Sequence, residues 1–201
     1  MGLHTREEGN KWWRNILSVL GVTNTWKMGA EGEERIIEQL SRLDGYHAFH
    51  DIMLPREVAN IDHIVVGRNG IFAVETKNYK GEIFCIGDEW SKSRVGSFGI
   101  EYREPITSIS IQVKRNAYKL SEFIKKRLKT FTYLSSRVFV VPIVVFTNDD
   151  FELHSLRPTV KIVRPRSIAA AIKKNEIEKH YTDEEIKSIA TLVGKYERWE
   201  T

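Results

Sequence analysis

Hydrophobic positions along this chain follow two periods, and the changes from one to the other mark its elements. In KWWRNILSVL (11–20), Trp12, Ile16 and Leu20 fall on one helical stripe, with Trp13 and Leu17 beside it. That stripe suits a helix packed on the rest of the chain, or a surface helix docked on a membrane or a partner. GAEGEERIIEQLSRL predicts a second helix over about 29–43. With ~100° between successive residues, Ile36, Ile37, Leu40 and Leu43 share its apolar face, and Glu33 falls near the middle of that face.

Period two then takes over. Strands are predicted at about 46–54, 60–67 and 70–78, the last two joined by Arg68-Asn69-Gly70, in which an Asn-Gly pair suits a tight hairpin turn. EIFCI and the stretch from Val95 to Tyr102 predict further antiparallel strands, with Trp90 as the anchor closing their hairpin. A long helix is predicted from about 107 to 129, striped by Val113, Ala117, Leu120, Ile124 and Leu128. RVFVVPIVVF (137–146) is apolar without alternation, as expected of a strand buried on both faces. TVKIV (159–163) predicts one more short strand. Ser167 is placed to cap the helix SIAAAIKKN, and Thr182 with Glu185 forms a capping box for a last helix through about 198. This order predicts an α/β fold, a mixed sheet flanked by helices.

Composition changes that picture little. The 201 residues contain no internal repeat, low-complexity tract or Pro/Gly/Ser linker, and a net charge of +4 leans only weakly toward anionic partners. Cys85, the single cysteine, excludes an intramolecular disulfide and a multi-cysteine zinc site. No run approaches the roughly 18 apolar residues of a transmembrane segment. ILSVLGV is too short and too tryptophan-flanked for a secretory leader. A cytoplasmic location is therefore expected.

The stretch IDHIVVGRNGIFAVETKNYKG (61–81) does change the picture. It sets Asp62, Glu75 and Lys77 inside apolar strand-type runs, where an unpaired charge is expensive to bury. Alternation points Glu75 and Lys77 the same way, with Ile71 and Ala73, while Phe72, Val74 and Thr76 take the other face. Across the hairpin Asp62 comes near Glu75 if the register agrees, and Glu33 adds a third carboxylate from the helix. Like charges so packed need a counter-charge. Lys77 supplies one, and a divalent cation would supply more. Oxygen ligands favour Mg²⁺ or Mn²⁺ over zinc, and such a cation suits phosphodiester hydrolysis. His63, next to Asp62, is expected on the opposite face as a buried, hydrogen-bonded side chain. His47 and His50, at odd separation, should face opposite ways.

These residues resemble the nuclease-related domain family, a branch of the PD-(D/E)XK nuclease-like fold. The matching pieces are GAEGEE (29–34), HDIMLP (50–55), IDHIVVG (61–67), GIFAVETKNYKG (70–81), Gln112 and VPIVVFTN (141–148). The resemblance implies a restriction-endonuclease-like core, strand-borne metal ligands and cleavage of nucleic acid, DNA ahead of RNA, with Mg²⁺ or Mn²⁺ as cofactor. It implies Glu33 as the helix acid, Asp62 as the central ligand, Glu75 as the second, the Thr76 carbonyl as an additional one, Lys77 as the catalytic lysine and Gln112 as a positioning group. Nucleases of this fold often act as homodimers. One departure stands out: the Asn-Pro pair often found before the helix glutamine is here Ser108-Ile109. The implied layout is an N-terminal helical segment (1–28), the nuclease-related domain (29–165) and C-terminal helices packed on it (166–201). The rival expectation is a weakly active or inactive binding or regulatory module on the same fold.

Lys114, Arg115, Lys119, Lys125, Lys126, Arg127 and Lys129 line the long helix against one acid, Glu122. They suit a phosphate-tracking face or a merely solvated one. Tyr118 and Tyr102 are expected to pack in the core or at an edge, base stacking being the alternative.

Overall fold

The computed structural model describes residues 23–128 and 138–198. The predicted helix at 11–20, with Trp12 and Trp13, lies outside the described residues, as does Lys129. In chain order come α1 (Thr23–Ser41), β1 (His47–Ile52), β2 (Ile61–Gly67), β3 (Gly70–Lys77), β4 (Gly81–Ile86) and β5 (Glu89–Val95). Then follow β6 (Glu101–Ile106), α2 (Ile109–Arg127), β7 (Val140–Phe146), β8 (Phe151–Leu156), β9 (Lys161–Val163), α3 (Pro165–Lys173) and α4 (Asp183–Gly194).

The strands make two sheets, ordered β1-β2-β3-β7-β9 and β6-β5-β4-β8. β1, β2 and β3 form an antiparallel meander, and β7 joins β3 in parallel. After short breaks this parallel pair runs on as the parallel pair β4/β8 of the second sheet. The first sheet is covered on both faces. α2 and α4 pack on one, where Ile64, Val66, Ile71 and Ala73 meet Ala117, Leu120, Ile189 and Val193. α1 and α3 pack on the other, through Val65, Phe72, Val74, Ile36, Leu40 and Ile168. Burying each such side chain contributes about 1.5–3 kcal/mol. A one-residue slip of β2 would turn all its apolar residues the wrong way, so burial fixes the register. The second sheet is tied to α2 by Trp90, whose indole N–H donates to Ser110 Oγ at 2.8 Å. Phe146 and Phe151, stacked at 4.0 Å, carry the apolar layer from one sheet to the next.

Several expectations need correction. The mixed α/β architecture flanked by helices is as expected, but its strands form two sheets, and the stretch predicted as one strand from Val95 to Tyr102 holds the end of β5, a 3₁₀ turn at Ser97–Gly99 and the start of β6. β8, FELHSL, was not foreseen. Five of its six residues are exposed or partly so, which leaves little apolar alternation to read. α1 begins at Thr23, before the predicted start. Trp90 does sit at the closing end of the β4–β5 hairpin, opposite Cys85, and it also anchors the sheet to α2. Ser167 does not cap α3, which starts at Pro165 behind Arg164, with Pro supplying a preset φ where no N–H is needed. The capping box of Thr182 and Glu185 is present. The last helix stops at Gly194 because the following backbone pairs with the end of β1, Met53 N–H donating to the Tyr196 carbonyl at 3.0 Å.

The β2–β3 turn also differs in detail. Gly67 pairs with Gly70, so the turn residues are Arg68 and Asn69, and neither has positive φ. Asn69 serves instead as a cap: its amide donates to the carbonyls of Ile172, Lys173 and Asn175 at the end of α3. At the β5–β6 turn, by contrast, Phe98 itself adopts φ 67°. That conformation costs a non-glycine residue about 1–2 kcal/mol, and the ring is fully exposed.

Candidate active site

The β2–β3 ladder pairs His63 with Val74, and its next step sets Asp62 opposite Glu75. Both carboxylates share the α2 face with Ile71 and Ala73, as alternation requires. Glu75 is 3% exposed and fully engaged. Its Oε1 accepts from Lys77 Nζ and from Gln112 Nε2, each at 2.5 Å, and its Oε2 accepts from Asn116 Nδ2 at 3.3 Å. Asp62 accepts the Thr76 backbone N–H at 2.7 Å. Burial first, then the Glu75 charge, push the Asp62 carboxyl up to about 7. Glu33 adds to that push, while the Thr76 N–H and Lys77 oppose it.

Thr76 is held from both faces of the sheet. Its N–H and C=O turn toward the same edge in a strand, so the carbonyl faces the β2 side, where Asp62 lies. Its hydroxyl lies 3.2 Å from His63 Nε2 on the far face. His63 is buried as expected and shares a 2.9 Å Nδ1–Nδ1 hydrogen bond with His50, its partner across the β1–β2 ladder. Burial, then His50, push His63 down to about 3, so this imidazole is neutral at physiological pH.

Glu33 reaches the site differently from expectation. The buried stripe of α1 runs through Gly32, Ile36, Leu40 and Leu43, leaving Glu33 exposed at its rim rather than in its middle. Gly32 explains the rim position. A Cβ there would lie 2.5 Å from Thr147 Oγ1 and 2.9 Å from Thr147 Cβ, so only glycine lets α1 approach the end of β7. Arg35 clamps the same contact, donating to the Thr147 carbonyl at 3.1 Å and to both Asp149 oxygens at 3.2 and 3.1 Å. Gly32→Ala should therefore lower the melting temperature. Overpacking costs about 1–3 kcal/mol against about 1 kcal/mol gained in helix propensity. Thermal unfolding of the two proteins measures this, and an unchanged or raised midpoint would mean that α1 has room to move.

Ser108 and Ile109 prove to be a sound helix start. Ser108 is the N-cap, accepting from the Ile111 N–H at 3.2 Å, so α2 begins where Gln112 lies one turn in. Asn116, one further turn along the same face, was missed. Read alone it is a polar helix residue, and its spacing of four from Gln112 was the available signal.

The basic residues of α2 are less uniform than their sequence suggests. Lys114 pairs with Asp88 at 2.7 Å, Lys119 with Glu57, and Lys125 with Glu122 at 3.2 Å. Arg127 lies 5.6 Å over the Phe123 ring. Arg115 and Lys126 are exposed on one side of the helix and form no ion pair among the described residues. Tyr118 and Tyr102 are exposed rather than packed. Elsewhere, Glu82, Glu152 and His154 bring candidate ligand atoms within 4.8 Å of one another on the second sheet, all three exposed.

Asp62 thus faces the buried Glu75, with Lys77 two residues on and the amides of Gln112 and Asn116 above. The chain belongs to the nuclease-related domain family, whose sequence profile matches residues 28–147. An uncharacterized protein of Bacillus anthracis is 42% identical over 64 residues, which is 29% of this chain and 30% of that protein. The chain thus matches under a third of that relative's length. No solved structure gives a significant match. No helix among the described residues is long and apolar enough to cross a membrane.

Proposed function

We propose that this protein is a divalent-cation-dependent nuclease that hydrolyses phosphodiester bonds, in DNA ahead of RNA. The observation that carries the reading is the facing of Asp62 and Glu75 on buried strands, with Lys77 on the same face. An Asp62 carboxyl raised to about 7 by burial and by Glu75 marks a place short of positive charge. The donor set fits Mg²⁺ or Mn²⁺: Asp62, Glu75, the Thr76 carbonyl and Glu33 offer only oxygen. When bound, such a cation activates water and offsets phosphoryl charge.

The remaining work falls to the chain itself. Gln112 and Asn116 fix the Glu75 carboxylate in one orientation, so it need not reorganise as charge develops. The Lys77 ammonium stands beside the acids, placed to orient the attacking water and to meet negative charge on the phosphoryl oxygens. Arg115 and Lys126 offer contacts to the nucleic-acid backbone. Replacing both with glutamine should flatten the dependence of log affinity on log salt by about 1.8 on duplex DNA, at ~0.9 per phosphate. Binding titrations across salt concentrations measure it, and an unchanged slope would assign both to a solvated face.

The test of the function is a cleavage assay with Mn²⁺ on single-stranded DNA, duplex DNA and RNA, with a chelator as control. Metal-dependent cleavage that disappears in Asp62→Ala supports the reading. One observation favours a second reading: both Glu75 oxygens are already engaged by protein donors. If the protein binds nucleic acid and cuts none, the fold serves here as a binding or regulatory module.

A further inference from the structure

We propose that the tip of the β5–β6 hairpin is a base-stacking finger, with Phe98 its stacking side chain and an unpaired nucleotide next to the cleaved bond its ligand. This rests on the nuclease reading of the Asp62–Glu75 site. Three observations converge on it.

The first is cost without return. Phe98 holds a left-handed φ of 67° beside Gly99 at 75°, where asparagine or glycine would be at ease. Its ring is fully exposed and gains nothing from the core. Gly96 and Ile100 hold the tip closed by a 2.8 Å backbone hydrogen bond, and a Cβ on Gly96 would lie 3.3 Å from the Tyr102 ring. A large aromatic displayed at backbone expense by a well-bonded turn points to a role outside folding.

The second is position. β4 leaves the end of β3 just past Lys77, and β5 runs back beside it, Ile83 pairing with Lys92. Continuing that ladder sets Val95 level with Lys80, so the tip returns to the end of the fold that carries Lys77. It does so on a definite side. β5 flanks β4 opposite β8, just as β2 flanks β3 opposite β7, and β2 is the strand that delivers Asp62. The finger therefore belongs to the flank from which Asp62 faces Glu75.

The third is charge. Lys92 and Arg94 share one carboxylate, Glu104, at 3.3 and 2.8 Å. Arg103 lies 3.8 Å over the Phe84 ring rather than on an acid. With Glu89 and Glu101 as the other acids, β5 and β6 carry three cations against three carboxylates, and Glu89 lies at the end of β5 away from the tip. Exposed aromatic side chains with cations beside them suit unpaired bases, which stack without regard to sequence. Tyr102, half exposed on the same hairpin, offers a second ring.

The test uses the full chain in chelator, so that binding is read apart from cleavage. Single-stranded and duplex oligonucleotides carry 2-aminopurine at successive positions, and anionic phospholipid vesicles form a separate arm. Phe98→Asn suits the left-handed turn, so its melting temperature should equal or exceed that of the parent. Its affinity for single strands should fall about 5- to 100-fold, with loss of the position-dependent fluorescence change. Phe98→Trp should keep both. If Phe98→Asn binds and reports like the parent while metal-dependent cleavage persists, the finger is wrong and the nuclease reading stands. If the parent binds no nucleic acid, with chelator or with Mn²⁺, both fall together. Vesicle binding lost in Phe98→Asn with oligonucleotide binding unchanged would overturn the finger in favour of a membrane contact.

Discussion

Replacing Lys77 with methionine should lower turnover by on the order of 10²–10³, the loss typical of one preorganised electrostatic stabiliser. Methionine keeps the length of the side chain and removes its charge, so the partly buried stem remains packed. Gln112 and Asn116 still hold Glu75, and the Thr76 N–H still holds Asp62. The variant should therefore fold, and its affinity for nucleic acid should change far less than its turnover, because the role proposed for Lys77 is to meet charge that builds in the transition state. Without cation it should melt somewhat lower at neutral pH, since Lys77 is one of the groups offsetting the charge around Asp62. Single-turnover cleavage and direct binding, measured side by side, separate these effects. If the parent cuts and Lys77→Met cuts equally well, the Glu75–Lys77 pair is ordinary strand chemistry.

Divalent cation should stabilise the protein, and increasingly so as pH rises. The folded-state carboxyl of Asp62 is raised to about 7 from an ordinary 3.8. Between those values the folded chain holds a proton that the unfolded chain has released. Stability from this group is present below pH ~4 and is lost as pH climbs toward ~7, by on the order of a few kcal/mol. A cation takes the place of that proton, so its benefit should be small at pH 5.5 and full above pH 7. At a hundred times its dissociation constant the gain is about 2.7 kcal/mol, or roughly 5–10 °C in melting temperature for a chain of this size. Asp62→Asn should abolish the cation response and flatten the pH dependence. Melts from pH 5.5 to 8, with Mg²⁺ and with chelator, decide the matter. A cation shift that survives in Asp62→Asn would remove Asp62 from the ligand set.

The parts of the site that were legible in sequence were those set by short-range periodicity. Asp62 and Glu75 lie in two strands joined by a tight turn, so alternation alone determines their face, and only the register remained to be found. The opposite facing of His63 followed by the same logic. Glu33 was only half legible: helical spacing put it near the middle of the apolar face, but the true stripe runs through Gly32, whose role depends on Thr147 far along the chain, and leaves Glu33 at the rim. The charges of α2 were misleading for the same reason, because Asp88 and Glu57 come from other elements and neutralise Lys114 and Lys119. Asn116 offered only its spacing of four from Gln112, and its part became clear once Glu75 was placed beneath it. Phe98 carried no signal at all. A phenylalanine in the run Gly96-Ser97-Phe98-Gly99 predicts neither its backbone angle nor its exposure.

The passage of one parallel strand pair through both sheets has a consequence for how this fold can diversify. At the seam the backbone is committed: Thr147 N–H donates to the Lys77 carbonyl at 3.0 Å, Gly81 N–H to the Asp150 carbonyl at 2.7 Å, and Asn148 bonds Asn78 at 2.9 Å. Residues cannot be added or lost there without displacing Lys77. The β5–β6 turn, one strand away, is bound by no such constraint. Inheritance can therefore lengthen, shorten or re-letter the turn while the Asp62–Glu75–Lys77 cluster passes from ancestor to descendant unaltered.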